Sequence, residues 1–145
     1  MEFALVAPLL LLLAFGILGY GYMLSFRQAL SQGAAEGARA AAVSAYPLPA
    51  DKETAALKAI NDALGNSAYG VTCSGTAPGS VLRRDNVTVG TCSVRTAPCL
   101  NDLTRSCVTA KVDYLYADHP LLPKAPGLGL VLPEHLAYEA TVRVS

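Results

Sequence analysis

MEFALVAPLLLLLAFGILGYGYMLSFRQALSQGAAEGARAAAVSAY, residues 1–46, is the stretch whose reading decides the architecture. After Glu2 no charge occurs until Arg27, and the run Phe3 to Leu24 is apolar throughout. At about 1.5 Å per helical residue, some 22 residues match the ~30 Å hydrocarbon thickness of a bilayer. A cleaved secretory signal wants a basic start, a shorter apolar run and a small-residue cleavage site. Here the start is acidic and the pattern continues without a break, which favours a membrane span.

Beyond Leu24 the pattern becomes amphipathic. Ala29, Leu30, Gly33, Ala34, Gly37, Ala41 and Ala45 recur at spacings of three and four, while Arg27, Gln28, Gln32, Glu36 and Arg39 fall on other faces. Glu36 and Arg39 are spaced to pair along the helix, for a few tenths of a kcal/mol. Pro47 ends the helix at Tyr46, because a residue before proline is disfavoured in the α region. A rod of about 65 Å results, half for lipid and half projecting to carry a head. Pro8 falls in the opening turns, or loosens the helix if that begins further upstream. Gly16, Gly19, Gly21, Gly33 and Gly37 each cost about 1 kcal/mol against Ala inside a helix, and their use is close backbone approach. Gly33-Ala34-Ala35-Glu36-Gly37 is a small-xxx-small face, which favours helix–helix contact over a solitary anchor with incidental glycines.

The remaining residues, 47–145, read as one small α+β head. Asp51 is expected as an N-cap, with Glu53 in the first turn, of a short helix whose apolar face is Ala56, Leu57, Ile60, Ala63 and Leu64, stopped by Gly65-Asn66. Strands are expected at Tyr69–Cys73, Asn86–Val94, Val108–Tyr116 and His135–Val144, with loops at Gly75–Ser80, Thr96–Arg105 and Asp118–Leu132. Val108, Ala110, Val112, Tyr114 and Tyr116 share one strand face. The leucines of the last loop (Leu121, Leu122, Leu128, Leu130, Leu132) must still pack somewhere.

The chain has four cysteines, Cys73, Cys92, Cys99 and Cys107. With no CxxC pair and no histidine beside them, disulfides are favoured over zinc. Three connectivities are open. The sequential one is preferred: Cys73–Cys92 tying adjacent strands, Cys99–Cys107 closing a short loop. Disulfides imply an oxidising compartment. The positive-inside rule, applied to Glu2 and Arg27 alone, puts the head on the opposite side. A basic leader upstream of Met1 reconciles the two.

The chain has a formal net charge of zero and no basic block, which argues against nucleic acid. His119 and His135 lie in no metal motif, and no nucleophile elbow, P-loop or dinucleotide fingerprint occurs. Asp113 and Asp118 read as solvated charges. Asn86-Val87-Thr88 fits a glycosylation acceptor pattern but reads as a strand start. No enzyme activity and no cofactor are expected.

Two segments carry a resemblance. Glu2-Phe3-Ala4-Leu5-Val6-Ala7-Pro8-Leu9 through Gly16 resembles the N-terminal signature of TadE-like pilins, from the tight-adherence (Tad or Flp) branch of type IV pili. Glu36-Gly37-Ala38-Arg39 is similar to the family's second motif, and residues 108–144 match its closing strands more weakly. The resemblance implies a single-pass inner-membrane protein that later becomes a cell-surface fibre. It implies a prepilin peptidase that removes a basic leader, other pilin subunits as partners, and an assembly machinery. It also implies that Glu2 faces the N-terminal amine of a neighbouring subunit, although only Met1 precedes Glu2 where the family has four residues. The expected assembly residues are Glu2, Pro8, Gly16, Gly33 and Gly37. The expected function is a structural pilin that polymerises through residues 1–46 for surface attachment. Alternatives are a minor pilin that initiates or caps assembly, and a membrane-anchored binding domain that never polymerises.

Overall fold

The computed structural model describes residues 2–45, 47–121 and 133–144, without the side chains of Glu2, Ala4 and Leu5. A long helix, α1 (Glu2–Val43), precedes a short one, α2 (Pro49–Gly65), and five strands. The strands β1 (Val71–Thr76), β2 (Gly79–Arg84), β3 (Val87–Cys99), β4 (Asp102–Leu115) and β5 (His135–Val144) form one antiparallel meander in chain order. The architecture is α+β, with both helices against the sheet.

The helix α1 does not carry the head on a projecting stalk. Met23, Phe26, Leu30, Ala34, Ala38 and Ala41 are buried in the same core as the sheet. Their spacings of three and four put them on one stripe, which packs on β4 and β5 while α2 lies alongside. Ala29 is only half-buried, and Ala45 lies past the helix end. The physical reason is that this half has an apolar face which the sheet covers, whereas a free stalk would leave it in water.

The start of α2 also differs from expectation. Asp51 is not the N-cap. The cap position is Leu48, in extended backbone and without a side-chain hydrogen bond, and Pro49 opens the helix. Proline suits that position because its fixed φ is helical and its missing N–H would have no partner there. Ala56, Leu57, Ile60 and Leu64 are buried as the periodicity required, and Ala63 is half-buried. Two side chains tie α2 to the sheet backbone: Asn61 Oδ1 accepts the Cys73 N–H at 3.0 Å, and Glu53 Oε1 accepts the Thr96 N–H at 2.7 Å.

Two expected loops are partly strand. Gly79–Arg84 is β2, which the sequence hides because it buries only Ser80 and Leu82. Thr96–Arg105 is mostly the outer part of the β3–β4 hairpin, where Pro98 pairs with Ser106 beside a register shift. This part runs past the end of β2, so no buried face imposes an alternating pattern on it. The hairpin turn between β2 and β3 uses Asp85 and Asn86 at φ 50° and 67°, the left-handed backbone these residues tolerate best. Tyr69 lies before β1 rather than in it, and Asn86 before β3.

On β4, Val108, Ala110, Val112 and Tyr114 are buried on one face, with Tyr116 buried just beyond the strand. Cys92 and Val94 of β3 stand opposite Val112 and Ala110 and complete the centre of the core. Leu121 packs half-buried against this core. The other leucines expected to pack, Leu122 to Leu132, lie outside the described residues.

Candidate assembly helix and its junction with the head

Among the described residues, the first half of α1 is not packed against the rest of the chain. Phe3, Val6, Leu9 through Leu13, Phe15, Ile17 and Leu18 are all exposed. Within Val6–Val43, the most apolar 18-residue stretch has mean hydropathy 2.0 and is only 11% buried, long and apolar enough to cross a membrane. Burial begins at Met23. The free part with described side chains therefore runs from Phe3 to Tyr22, about 30 Å of helix, which equals the hydrocarbon thickness. Water is a poor solvent for such a surface, at roughly 25 cal/mol per Å² of apolar area. Lipid or a bundle of like helices are the two solvents that fit it.

The expected assembly residues divide between two environments. Pro8 and Gly16 lie on the free half; Pro8 is exposed, and a Cβ at Gly16 would have nothing within 4 Å. Gly33 and Gly37 do not face outward. A Cβ at Gly33 would meet Leu64 Cδ2 at 3.0 Å, and one at Gly37 would overlap Ile60 and lie 3.2 Å from the Ala56 carbonyl. Their small-residue face makes the expected close helix contact, but with α2 of the same chain. The Glu2 side chain lies outside the described residues.

The Glu36-Gly37-Ala38-Arg39 segment splits in the same way. Gly37 and Ala38 are buried. Glu36 and Arg39 are exposed and pair with each other at 3.6 Å across one helical turn. An exposed pair of this kind contributes only a few tenths of a kcal/mol.

Where the free half ends, an aromatic cluster fastens α1 to the head. Tyr69 packs edge-on against Tyr22 and Phe26, with ring centroids 5.3 and 4.9 Å apart, and Phe26 packs edge-on against Tyr114 at 4.8 Å. The Tyr69 hydroxyl donates to Ser25 Oγ at 2.6 Å. Arg27 donates from Nε to the Tyr138 hydroxyl and lies over that ring, 5.9 Å from its centroid. Tyr114, fully buried, donates to the His119 carbonyl at 2.7 Å and accepts from Arg84 Nη1 at 3.1 Å. Burial raises the Tyr114 phenol above its ordinary pKa against a smaller lowering by Arg84, and burial followed by Tyr22 raises Tyr116. Sequence reading missed this cluster. Its trace is that Met23, Phe26 and Leu30 continue the buried stripe toward the apolar run.

The disulfides are Cys73–Cys92 and Cys99–Cys107. The first joins β1 to β3, which are separated by β2 in the sheet order and are not adjacent strands as expected. The second braces the outer β3–β4 hairpin. Among the described residues, no three His, Cys, Asp or Glu side chains are placed to hold a metal ion. His135 Nδ1 lies 3.1 Å from Asp113 Oδ1. A cleft of about 110 Å³, lined by Pro47, Pro49, Lys52, Thr96, Ser106 and Val144, is well below the several hundred Å³ of a small-molecule site.

The free apolar half, the glycine face and the Glu36–Arg39 segment coincide with one finding from comparison. Residues 1–39 match the family of TadE-like proteins. This N-terminal segment is TadE-like. The TadE-like segment takes in the whole free half of α1 and most of the stripe that packs on the head. Through this segment the chain is related to the Tad pilus, and its N-terminal helix is long and apolar enough to cross a membrane. No curated protein and no solved structure matches the chain.

Proposed function

We propose that this chain is a structural pilin subunit, held in the inner membrane by the free half of α1 and later polymerised through that half into a Tad-like pilus. The supporting observation is the division of α1. The head covers one stripe of the helix from Met23 to Ala41, with Gly33 and Gly37 against α2, and among the described residues the apolar segment before Met23 has no such cover. Assembly contacts therefore fall on Phe3 to Tyr22, with Pro8 and Gly16 on that surface. In this reading residues 1–46 are the assembly helix and residues 47–145 the head, whose core reaches back into α1.

In this reading Glu2 pairs with a neighbouring subunit's N-terminal amine, since a carboxylate in an apolar bundle needs a partner. A prepilin peptidase and the pilus assembly machinery act on the chain before the fibre reaches the cell surface. The test is Glu2→Ala, with electron microscopy of sheared surface material and quantitation of the membrane-held protein. Loss of fibres at normal protein level is expected. Normal fibres at normal protein level sink the pairing role, and absence of the wild-type chain from sheared fibres sinks the pilin reading itself.

A further inference from the structure

We infer that, before assembly, the head rests directly on the membrane surface through an interfacial seat formed by Tyr20, Tyr22, Tyr69 and Arg27, whose ligand is the phospholipid headgroup layer. The inference rests on the membrane-held pilin reading above and adds where the head stands relative to the lipid.

Three observations carry it. First, the free apolar helix ends at Tyr22, and burial against the head begins at the next residue, Met23, so no spacer separates lipid from head. With the hydrocarbon filled by Phe3 to Tyr22, Arg27 lies about 7.5 Å further along the axis. That is the depth of the headgroup layer, since a bilayer of ~30 Å hydrocarbon is ~40–45 Å thick with its polar regions. Arg27 is also the first charge after Glu2.

Second, the aromatic residues at this level remain partly open. Tyr20 is 53% and Tyr22 40% exposed, and each combines an apolar ring with a hydroxyl, the combination favoured at membrane–water boundaries. Third, the head contributes to the same level. Tyr69 comes from the connection between α2 and β1, yet its ring lies against Tyr22 and its hydroxyl donates to Ser25. Tyr138 of β5 holds the exposed Arg27 guanidinium by a hydrogen bond and by its ring face. The guanidinium keeps further N–H donors for phosphate oxygens, which it matches in geometry.

The chain contains no tryptophan, so one substitution gives a single depth-reporting fluorophore. Full-length Tyr20→Trp, Tyr22→Trp, Tyr69→Trp, Leu12→Trp and Leu100→Trp variants are reconstituted in phosphatidylcholine–phosphatidylglycerol vesicles brominated either near the headgroups or deep in the chains. Leu12→Trp should be quenched at least twofold more by deep bromine. Positions 20, 22 and 69 should be quenched at least twofold more by shallow bromine, and position 100, at the tip of the outer hairpin, by neither. In Arg27→Leu the shallow-to-deep ratio at position 22 should fall by about half. Deep quenching at position 12 with none at position 69 overturns the seat while keeping the membrane span. No quenching at position 12 overturns the span and the seat together. Among the described residues Tyr20 makes no ring contact, so its variant remains informative if substitution at Tyr69 disturbs the fold.

Discussion

Gly37 of the long helix lies directly beneath Ile60 of α2, so closely that a Cβ added at residue 37 would overlap the Ile60 side chain. This contact decides what α1 can do. A small-residue face that would suit contact with another subunit is filled by the chain's own second helix, and the continuous exposed apolar surface of α1 is its first half.

Gly37→Val should therefore destabilise the head by about 1–3 kcal/mol, the usual cost of forcing extra volume into a packed contact. Ile60 can yield but the Ala56 carbonyl, 3.2 Å from the added Cβ, is backbone. Gly16→Ala should leave head stability unchanged, because a Cβ there meets nothing within 4 Å, while raising local helix propensity by up to about 1 kcal/mol. Urea denaturation of the detergent-solubilised chain separates the two. Equal midpoints for wild type and Gly37→Val would remove the packing argument.

The two disulfides should differ in what they stabilise. Cys73–Cys92 closes a loop of separation 19 and joins non-adjacent strands of the core, so the Cys73→Ala, Cys92→Ala double variant should lose about 3 kcal/mol globally. Cys99–Cys107 has separation 8 and braces a hairpin that extends past β2. Its removal should appear first as faster proteolysis between residues 97 and 106, since an unsupported two-stranded hairpin is marginal in water. Limited proteolysis and denaturation of both variants check this, and equal proteolysis of the hairpin in both would contradict it.

Glu53 links α2 to β3 through the Thr96 N–H. Glu53→Ala leaves that half-buried donor without its acceptor and should cost about 1–3 kcal/mol. Glu53→Gln keeps an acceptor oxygen in place and should recover much of the loss. Thermal unfolding of the two variants measures the difference, and an Ala variant as stable as wild type would argue against the tie.

Alkaline pH should weaken the head through its buried tyrosines. Burial raises the Tyr114 and Tyr116 phenols above their unfolded value near 10. As pH rises past that value the unfolded chain releases these protons first, so it binds fewer protons than the folded chain and stability falls with pH. Their contribution is complete below about pH 10 and is lost as pH climbs through the folded-state values. Denaturation midpoints from pH 8 to 11.5 should bend downward above 10, and Tyr114→Phe should flatten that bend while lowering stability at pH 8, where the hydrogen bonds to His119 and Arg84 are gone. Parallel curves for the two proteins would overturn the assignment.

The sequence by itself determined the elements with a strong, uninterrupted period. The run Phe3 to Leu24 allowed only a helix in lipid or in a bundle, since nothing else satisfies its backbone there. Ala56, Leu57, Ile60 and Leu64 fixed the buried face of α2, and Val108 to Tyr114 fixed that of β4. Tertiary structure decided the rest. The strand β2 and the outer part of the β3–β4 hairpin escaped because each buries too little apolar surface to impose a period. The faces of Gly33 and Gly37 were legible as contact surfaces, but their partner was not. A glycine records that something comes close, and only the folded chain shows that it is Ile60 and Leu64 of α2. The division of α1 at Tyr22 and Met23 has the same origin. Apolar residues continue across it, and what changes is whether the sheet or the surroundings cover them.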